Sequence, residues 1–291
     1  MNTSKLNTTS LAKGAALMVT SVFLFSVMDT LAKSLSANHH PFQIVWARYA
    51  SQTLLAFALL APRLKTLLRT SQLPMQLVRS GFLFAATMGF FTSISLMPLA
   101  TATATFEIGP LVITIMAFFI LRETVGLRRW VSVAFGFVGA LIIIRPGADS
   151  FTLYALLPAF AATCFAGYAI STRFLGQEES PWTSFLYTAL IGTLISSAIV
   201  PLFWTYPNAI DATKMVALGA IGGIGHYLLI RAFTITEASY LAPFTYIGLL
   251  FNALWGFLLF AEVPGSNVIL GGAIIVGAGI YVWYREVFVH R

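Results

Sequence analysis

Residues 98–146, PLATATATFEIGPLVITIMAFFILRETVGLRRWVSVAFGFVGALIIIRP, form two apolar runs that flank a short charged hinge at Glu123. Residues 237–286, EASYLAPFTYIGLLFNALWGFLLFAEVPGSNVILGGAIIVGAGIYVWYRE, follow the same plan around a hinge at Glu262. Aligning Glu123 on Glu262 superimposes the two stretches. A two-span unit that recurs in both halves of a chain is typical of membrane scaffolds built from internal repeats.

The composition indicates that this chain lies in a lipid bilayer. Hydrophobic residues make up 58% of its 291 residues and charged residues 9%, with a mean hydropathy of +0.85. A soluble domain has roughly 45–50% apolar and about 25% charged residues. Because a spanning helix needs about 20 apolar residues, the chain has room for about ten spans and no sizeable soluble domain. The single cysteine, Cys164, excludes a disulfide within the chain and a multi-thiolate metal site.

Ten apolar segments, separated by Pro, Gly or polar residues, are the predicted spans. They cover residues 14–35, 42–62, 77–97, 100–121, 127–145, 153–174, 182–204, 214–235, 238–260 and 266–284. We therefore predict an all-α integral membrane fold of about ten helices. Its parts are an N-terminal tail (1–13), a first five-helix repeat (14–146) and a second five-helix repeat (153–285).

Lysine and arginine are concentrated on one side of the predicted bundle. With the N-terminus inside, the inner side receives Lys5, Lys13, Arg63, Lys65, Arg69, Arg79, Arg122, Arg128, Arg129, Arg173, Arg285 and Arg291, and the outer side receives Lys33, Arg145 and Lys214. Because cytoplasmic connections carry the excess, both termini are predicted to be cytoplasmic. Five spans per half is an odd number, so the second repeat is inverted relative to the first.

The first spans of the two halves also correspond, as FLFSVMDTLAK (23–33) and TCFAGYAISTR (163–173). With the paired spans that end in Glu and precede a Gly-rich final span, the chain resembles the drug/metabolite transporter superfamily, in its ten-helix EamA-type branch. The segment APFTYIGLLFNALWGFLLFAE is close to the family pattern, whereas the first repeat has the less usual FEIGP. The resemblance covers nearly the whole chain and implies a bacterial inner-membrane carrier that moves amino acids or similar metabolites outward.

Four ionisable residues of the first half fall at a similar depth, namely Asp29, Lys33, Arg48 and Glu107. A charge at bilayer depth costs at least about 2.5–3.5 kcal/mol unless it is paired, hydrated or functional. Two interpretations stay open. The four residues form a structural network, with Lys33 reaching the outer interface, or Asp29 and Glu107 face the pathway, where they bind an ammonium group or carry a proton.

Span 4 is predicted to kink at Pro110, which removes a backbone hydrogen bond and clashes with the carbonyl of Phe106. A kink in mid-membrane frees carbonyls that are tolerated against protein or a cavity, so this segment is a candidate wall of the binding site. A packing kink is the alternative. In the second repeat Tyr246 takes the place of Glu107, and Pro243 lies one turn earlier.

His226 lies near the middle of span 8, after Gly219 and Gly223, whose spacing lets a neighbouring helix approach closely. It is expected either to be a hydrogen-bonded packing residue or to face a cavity. Arg231, closer to the inner surface, is expected to pair with a carboxylate or reach the interface. Binding of a substrate carboxylate by Arg231 is the alternative.

The resemblance places a central cavity among spans 1, 3, 4, 6, 8 and 9. It thereby singles out aromatic candidates for the substrate path, which are Phe90, Phe91, Tyr168, Tyr227, Tyr240, Tyr246 and Trp255. A pocket combines apolar and aromatic walls with a few placed polar groups, and these rings could supply them. Ordinary packing is the alternative for each ring.

The sequence lacks a GxxxxGK[ST] phosphate loop, an HExxH motif and paired His or Cys ligands. We therefore expect no catalytic residue, metal, cofactor or nucleotide. Basic residues lie in short connections rather than on a stripe, so no nucleic acid is expected either. The prediction is a secondary transporter or facilitator that exports a zwitterionic amino acid or a similar small metabolite, with an aromatic or apolar side chain as one option and proton coupling left open.

Two transport alternatives and one further class remain. The transport alternatives are an exchanger for nucleotide sugars or sugar phosphates and a multidrug exporter. An anion exchanger should carry an uncompensated Lys or Arg at mid-depth, whereas Arg48 has acids at its own level. Outside transport, an intramembrane enzyme would need a nucleophile and base or a metal cluster, and a receptor would usually carry a soluble sensing domain.

Overall fold

The protein is an assembly of α-helices in every part that the computed structural model describes, which comprises residues 8–120, 122, 126–145, 152–175, 179–235, 241 and 244–284. No β-strand occurs among these residues. The helices are α1 (Thr8–Leu35), α2 (Pro41–Leu60), α3 (Leu73–Leu96), α4a (Leu99–Phe106), α4b (Gly109–Ile120), α5 (Leu127–Ile144), α6 (Leu157–Leu175), α7 (Pro181–Ile199), α8 (Ala209–Ile235), α9 (Ile247–Phe260) and α10 (Ser266–Tyr284).

Helix length and composition agree with a membrane-spanning bundle. Within the described ranges, seven helical segments are long and apolar enough to cross a bilayer. Three shorter apolar helices cover Trp130–Ile144, Ile247–Phe260 and Ser266–Tyr281. Together these segments correspond one to one to the ten predicted spans, so the all-α membrane fold is confirmed.

The helices pack in pairs that are related by the repeat. Helix α1 packs on α8, and its counterpart α6 packs on α3; α2 packs on α8, and α7 packs on α3. Helix α1 also contacts α9, as α6 contacts α4b. Three further pairs join equivalent helices of the two halves: α2 with α7, α4a with α9, and α5 with α10. This arrangement is the one that a two-fold repeat of five helices requires.

Two equivalent helices of the two halves, α2 and α7, begin in the same way, with a polar capping side chain directly before a proline. The side chain of His40 accepts a hydrogen bond from the Phe42 amide (3.3 Å) directly before Pro41, the first residue of α2. The hydroxyl of Ser180 accepts one from the Trp182 amide (3.3 Å) before Pro181, the first residue of α7. A polar cap followed by proline is favoured at a helix start because proline needs no hydrogen-bond acceptor there.

The fourth span is broken, and the ninth begins at the equivalent position. Helix α4a ends at Phe106, Glu107 is its C-terminal cap, and α4b starts at Gly109. The break lies within one turn before Pro110, whose missing N–H cannot bond to the Phe106 carbonyl. Helix α9 starts at Ile247, with Tyr246 as its N-terminal cap. Pro243 lies outside the described residues, as do Tyr240 and the hinge residue Glu123.

Glycines allow the closest helix crossings. A Cβ built on Gly139 of α5 would lie 2.7 Å from the Gly271 carbonyl, and one built on Gly271 of α10 would lie 2.5 Å from the Gly139 carbonyl. On α8, a Cβ on Gly219 would lie 2.3 Å from the Ser51 side chain of α2. Such contacts are closer than any side chain permits, so glycine sets the spacing between these backbones.

We expect Gly271→Leu to disrupt the crossing of α5 and α10, since the added side chain meets backbone rather than a movable side-chain end. Overpacking of this kind costs about 1–3 kcal/mol. The matched control is Gly277→Leu on the same helix, because nothing lies within 4 Å of a Cβ built there. Thermal unfolding of the detergent-purified variants measures the difference, and equal midpoints would contradict this account of the crossing.

Candidate functional site

The two repeat-equivalent positions 107 and 246 lie close together, between α4a and α4b on one side and the start of α9 on the other. Glu107 is 8% exposed, and its carboxylate is hydrogen-bonded to the Thr245 hydroxyl. Its charge also acts on the phenol of Tyr246, whose hydroxyl has no hydrogen-bond partner among the described residues. A Cβ built on Gly248 would lie 3.9 Å from Glu107 Oε1, so the carboxylate faces the first turn of α9.

Asp29 of α1 belongs to a polar junction that joins three helices. It is 7% exposed and accepts a hydrogen bond of 3.3 Å from Asn252 Nδ2 of α9. The same nitrogen donates to Thr103 Oγ1 of α4a at 2.9 Å. One turn away, Trp255 Nε1 donates to Ser26 Oγ of α1 at 3.0 Å. The junction therefore combines a carboxylate, an amide, hydroxyls and an indole in the middle of the bundle.

Arg48 of α2 is buried near Asp29 but forms no ion pair with it. Its Nη1 donates to Thr87 Oγ1 at 3.3 Å, and its guanidinium lies 4.5 Å from the centre of the Tyr49 ring. Arg48 Nε has no hydrogen-bond partner among the described residues. No described carboxylate lies within 4.0 Å of the guanidinium, although the charges of Arg48 and Asp29 do interact at longer range.

Lys33 does not join the polar cluster that its depth suggested. Its ammonium lies 2.8 Å from Glu262 Oε1 and donates to the carbonyls of Ile94 (3.0 Å) and Met97 (2.9 Å). Glu262 Oε2 in turn accepts a hydrogen bond from the Leu99 amide at 2.8 Å. This ion pair ties the end of α1 to the α3–α4a and α9–α10 connections, at the end of the bundle predicted to face outward.

A second polar network holds the same end of the bundle at the starts of α2 and α8. His39 lies between Thr205 Oγ1 (2.7 Å from Nδ1) and Asp211 Oδ2 (3.2 Å from Nε2). Gln43 donates to the Thr205 carbonyl at 2.7 Å and accepts from the Thr205 amide at 3.1 Å. This end is therefore closed by two separate polar networks.

Arg79 is a buried arginine that the sequence analysis placed on the inner surface. It lies six residues past the start of α3, about 9 Å along the helix axis, and it is fully buried. Position along a span gave its approximate depth but not the direction of its side chain. The structure shows that the side chain points into the bundle, toward α6 and α7.

Neutral groups surround the Arg79 guanidinium. Nε donates to Thr172 Oγ1 (2.8 Å), Nη1 to the Ser184 carbonyl and Thr188 Oγ1 (3.0 Å each), and Nη2 to the Tyr168 hydroxyl (2.9 Å). No described carboxylate lies within 4.0 Å of it. Arg79 is therefore a fully buried cation whose described partners carry no negative charge.

Tyr168 and His226, both predicted path residues, continue from Arg79 toward the centre. The Tyr168 hydroxyl lies 3.2 Å from His226 Nε2, and His226 is 2% exposed. A row of rings then leads away from Tyr168: its contacts are Tyr168–Phe165 (5.7 Å between ring centres), Phe165–Phe106 (5.7 Å) and Phe106–Phe90 (5.1 Å). The structure thus brings Phe90, Tyr168 and His226 into one continuous series.

The other candidates are distributed around this centre. Trp255 adjoins Asp29 through Ser26, whereas Phe91 is buried in the apolar core between α1, α2 and α3. Tyr227 stacks on Trp182 of α7 (4.1 Å between ring centres), and the Trp182 ring in turn contacts Phe185 (6.1 Å). Sequence reasoning missed Arg79 and Asn252. The signal for Asn252 was a lone amide in an otherwise apolar span, which must find partners inside the bundle.

The fold and this buried polar core define a polytopic membrane protein of the transporter class. The pattern of the EamA-like transporter family matches residues 12–145 and 152–284. The chain therefore belongs to the EamA-like transporter family, as the resemblance indicated, and it carries two copies of the family's domain. Like its relatives, it is an integral membrane transporter of small metabolites.

Several curated relatives align over nearly the full chain. An S-adenosylmethionine uptake transporter of Rickettsia prowazekii is 26% identical over 94% of this chain and 93% of its own length. A riboflavin transporter of Vibrio cholerae is 31% identical over 91% and 90%, respectively. A pseudopaline exporter of Pseudomonas aeruginosa is 31% identical over 93% and 95%. A solved crystal structure shares the fold, with a TM-score of 0.67, 20% identity and coverage of 92% and 95%.

We expect Lys33→Met to destabilise the protein, because it leaves Glu262 and two carbonyls without their cation. Removing one partner from a buried ion pair costs about 3–5 kcal/mol. Because the side chains of Lys33 and Glu262 are 13% and 18% exposed, we expect a smaller loss of about 1–3 kcal/mol here. Thermal unfolding in detergent measures the loss, with Lys65→Met on the surface as control.

The charge-swapped double variant, Lys33→Glu with Glu262→Lys, tests the origin of this contact. It should not recover the lost stability, since a carboxylate at position 33 would face two carbonyls and a lysine at 262 would face an amide N–H. Full recovery would mean that the ion pair alone, without its backbone partners, holds this end of the bundle.

Proposed function

We propose that the protein is a secondary transporter or facilitator that exports amino acids, or closely related zwitterionic metabolites, by alternating access. The observation that carries this proposal is the pair of buried carboxylates in the bundle centre, Asp29 and Glu107. Their described hydrogen-bond partners are the neutral side chains of Asn252 and Thr245. A buried carboxylate with no cation in direct contact suits the ammonium group of a substrate or a transported proton.

Aromatic and polar groups flank these carboxylates. Trp255 and Tyr246 lie beside Asp29 and Glu107, and the row from Phe90 to Tyr168 extends from the break in α4. Small-molecule sites combine such apolar walls with a few placed polar groups. This composition supports a partly apolar or aromatic side chain on the substrate.

The relatives support parts of this proposal. A pseudopaline exporter that aligns with 93% of this chain is named for export, which supports the proposed direction, while the S-adenosylmethionine transporters are named for uptake. S-adenosylmethionine contains the amino and carboxyl groups of methionine, so an amino-acid moiety is within the range of the family. Riboflavin instead offers a flat ring system, which the aromatic row could also accept.

We further propose that the protein lies in a bacterial inner membrane with both termini in the cytoplasm. The Lys and Arg excess on the inner side persists after Arg79 is removed from it, because eleven of the twelve residues assigned there remain, against three on the outer side. In this orientation, the Lys33–Glu262 pair and the His39–Asp211 network close the outer end. The conformation is then one that is closed to the outside.

Counterflow in proteoliposomes tests the substrate class. Vesicles are loaded with one unlabelled compound, and uptake of the same labelled compound is followed for a panel of aromatic, aliphatic and charged amino acids, S-adenosylmethionine and riboflavin. We expect exchange of at least one aromatic or aliphatic amino acid. Exchange of riboflavin alone, with every amino acid inert, would refute the amino-acid proposal and favour a flavin-type substrate.

The variants Asp29→Asn and Glu107→Gln test the two carboxylates. Each should reduce counterflow about tenfold or more, since loss of one charge-assisted contact is worth at least about 1.4 kcal/mol. If a carboxylate carries the proton, its variant should also lose the dependence of flux on an imposed pH gradient. Glu179→Gln near the surface is the control. Normal flux at every pH in both variants would assign Asp29 and Glu107 to structure alone.

A further inference from the structure

The centre of the bundle contains two buried arginines, and neither forms an ion pair with a described carboxylate. Both Arg48 and Arg79 lie close enough to His226 for their charges to act on the imidazole. Arg48 is 3% exposed and Arg79 is fully buried, and neither has a described carboxylate within 4.0 Å. Burying an arginine at this depth without a counter-charge is costly.

Two side chains near this centre have unpaired polar atoms. Gln52 is fully buried, yet neither its Nε2 nor its Oε1 has a hydrogen-bond partner among the described residues. The same is true of Arg48 Nε. Buried polar atoms are normally bonded, so these unpaired N–H groups and the amide oxygen point to a ligand that they bind.

Helix geometry brings these donors to one place. Arg48 and Gln52 are four residues apart on α2 and so share a face of the helix. Opposite them, Gly222 and His226 are four residues apart on α8. A Cβ built on Gly222 would lie 3.7 Å from Arg48 Nε, and the missing side chain leaves the guanidinium edge next to the α8 backbone.

Gln52 is held in the same region by apolar contacts. Gly223 of α8 lies against its stem, since a Cβ built there would be 3.3 Å from Gln52 Cγ and 3.8 Å from the Phe185 ring. The Phe185 ring centre is in turn 6.3 Å from that of His226. Arg48 and Gln52 therefore lie against the stretch of α8 that leads to His226, and Tyr168 links His226 to Arg79.

The chemistry of this region favours a small planar anion. A carboxylate accepts several hydrogen bonds and supplies the negative charge that neither arginine has within 4.0 Å, and guanidinium and amide N–H groups are the donors that match its two oxygens. Asp29, which acts on Arg48 from beyond 4.0 Å, already offsets part of the positive charge. A single negative charge on the ligand therefore suffices.

We infer that Arg48, Gln52 and His226, with Arg79 behind Tyr168, form an anion subsite that binds the carboxylate of the transported substrate. The inference rests on the proposed function for the identity of the substrate and extends it by naming the residues that bind its acidic end. Asp29 and Glu107 then remain for the ammonium end or the proton. Arg231, which is exposed, has no part in this subsite.

Binding of benzoate and benzamide to the detergent-purified protein tests the subsite without any transport. The two compounds have the same shape, and only benzoate is charged. Thermal unfolding should show a saturable stabilisation by benzoate and a much smaller one by benzamide, because a ligand that binds only the folded state raises its stability. Equal stabilisation by both compounds would overturn the inference.

Gln52→Leu is the most informative variant. Because the Gln52 amide bonds to no described residue, leucine should leave the unfolding midpoint of the free protein unchanged or raised. It should nonetheless weaken benzoate binding about tenfold, as expected for one lost hydrogen bond to a charged group. Gln72→Leu, at an exposed position before α3, is the matched control. Unchanged benzoate affinity in Gln52→Leu would also overturn the inference.

The arginine variants separate charge from geometry. Arg48→Gln should lose benzoate binding, and Arg48→Lys should keep part of it. Arg79 is hydrogen-bonded to α6 and α7, so any substitution there also affects folding. Arg79→Lys, which keeps the positive charge, is therefore compared with Arg79→Gln, which removes it. Exposed Arg63→Gln should behave like the unchanged protein. Benzoate affinity that survives Arg48→Gln would show that the anion binds elsewhere.

Failure of the inference and failure of the proposed function can be told apart. If benzoate binds through Gln52 and Arg48 but no amino acid exchanges in counterflow, the subsite stands and the amino-acid proposal falls. If an amino acid and its carboxamide derivative exchange equally well, and Gln52→Leu has no effect on either, the transport proposal stands and the anion subsite falls.

Discussion

The lipid bilayer requires every buried polar group of this protein to find its partner inside the helix bundle. Backbone groups meet this requirement through the helices themselves, and side chains meet it through a few junctions. Lys33 and Glu262 satisfy each other and three backbone groups. Arg48 is satisfied only in part, because its Nε has no hydrogen-bond partner among the described residues. This difference distinguishes a contact that holds the scaffold together from a group to which we assign a role in the proposed anion subsite.

The repeat explains the scaffold, and departures from it explain the charges. The helix pairs, the proline starts of α2 and α7, and the breaks at positions 107 and 246 all follow the two-fold relationship. The residue types at positions 107 and 246 do not follow this relationship, since Glu107 in the first repeat corresponds to Tyr246 in the second. A symmetric scaffold provides equivalent surfaces that can exchange between two states. In the proposed function, the asymmetric set of charges provides one binding site rather than two.

Sequence reasoning reached the fold and only part of the site, for a physical reason. Apolar length, turn residues and the repeat determine spans, so the ten helices and the family followed from them. Depth also follows from position along a span. The rotation of each helix about its axis does not, because a span that is apolar on all sides has no period to reveal its buried face. Hence the sequence places Arg79 on the inner side rather than inside the bundle, and it groups Lys33 by depth with residues that its ammonium does not contact. It does not identify Asn252 or Gln52.

The partners of the buried charges also constrain how the bundle can open. Lys33 and Glu262 lie near an end and are partly exposed, so water can compensate for part of the lost contact when α1 and α9 separate. Arg79 lies about 9 Å inside α3 and is bonded to α6 and α7. Separating those helices removes several of its hydrogen bonds at once, unless water or an anion takes their place. Opening at the Arg79 end therefore depends on what enters the centre, whereas opening at the Lys33 end depends mainly on water.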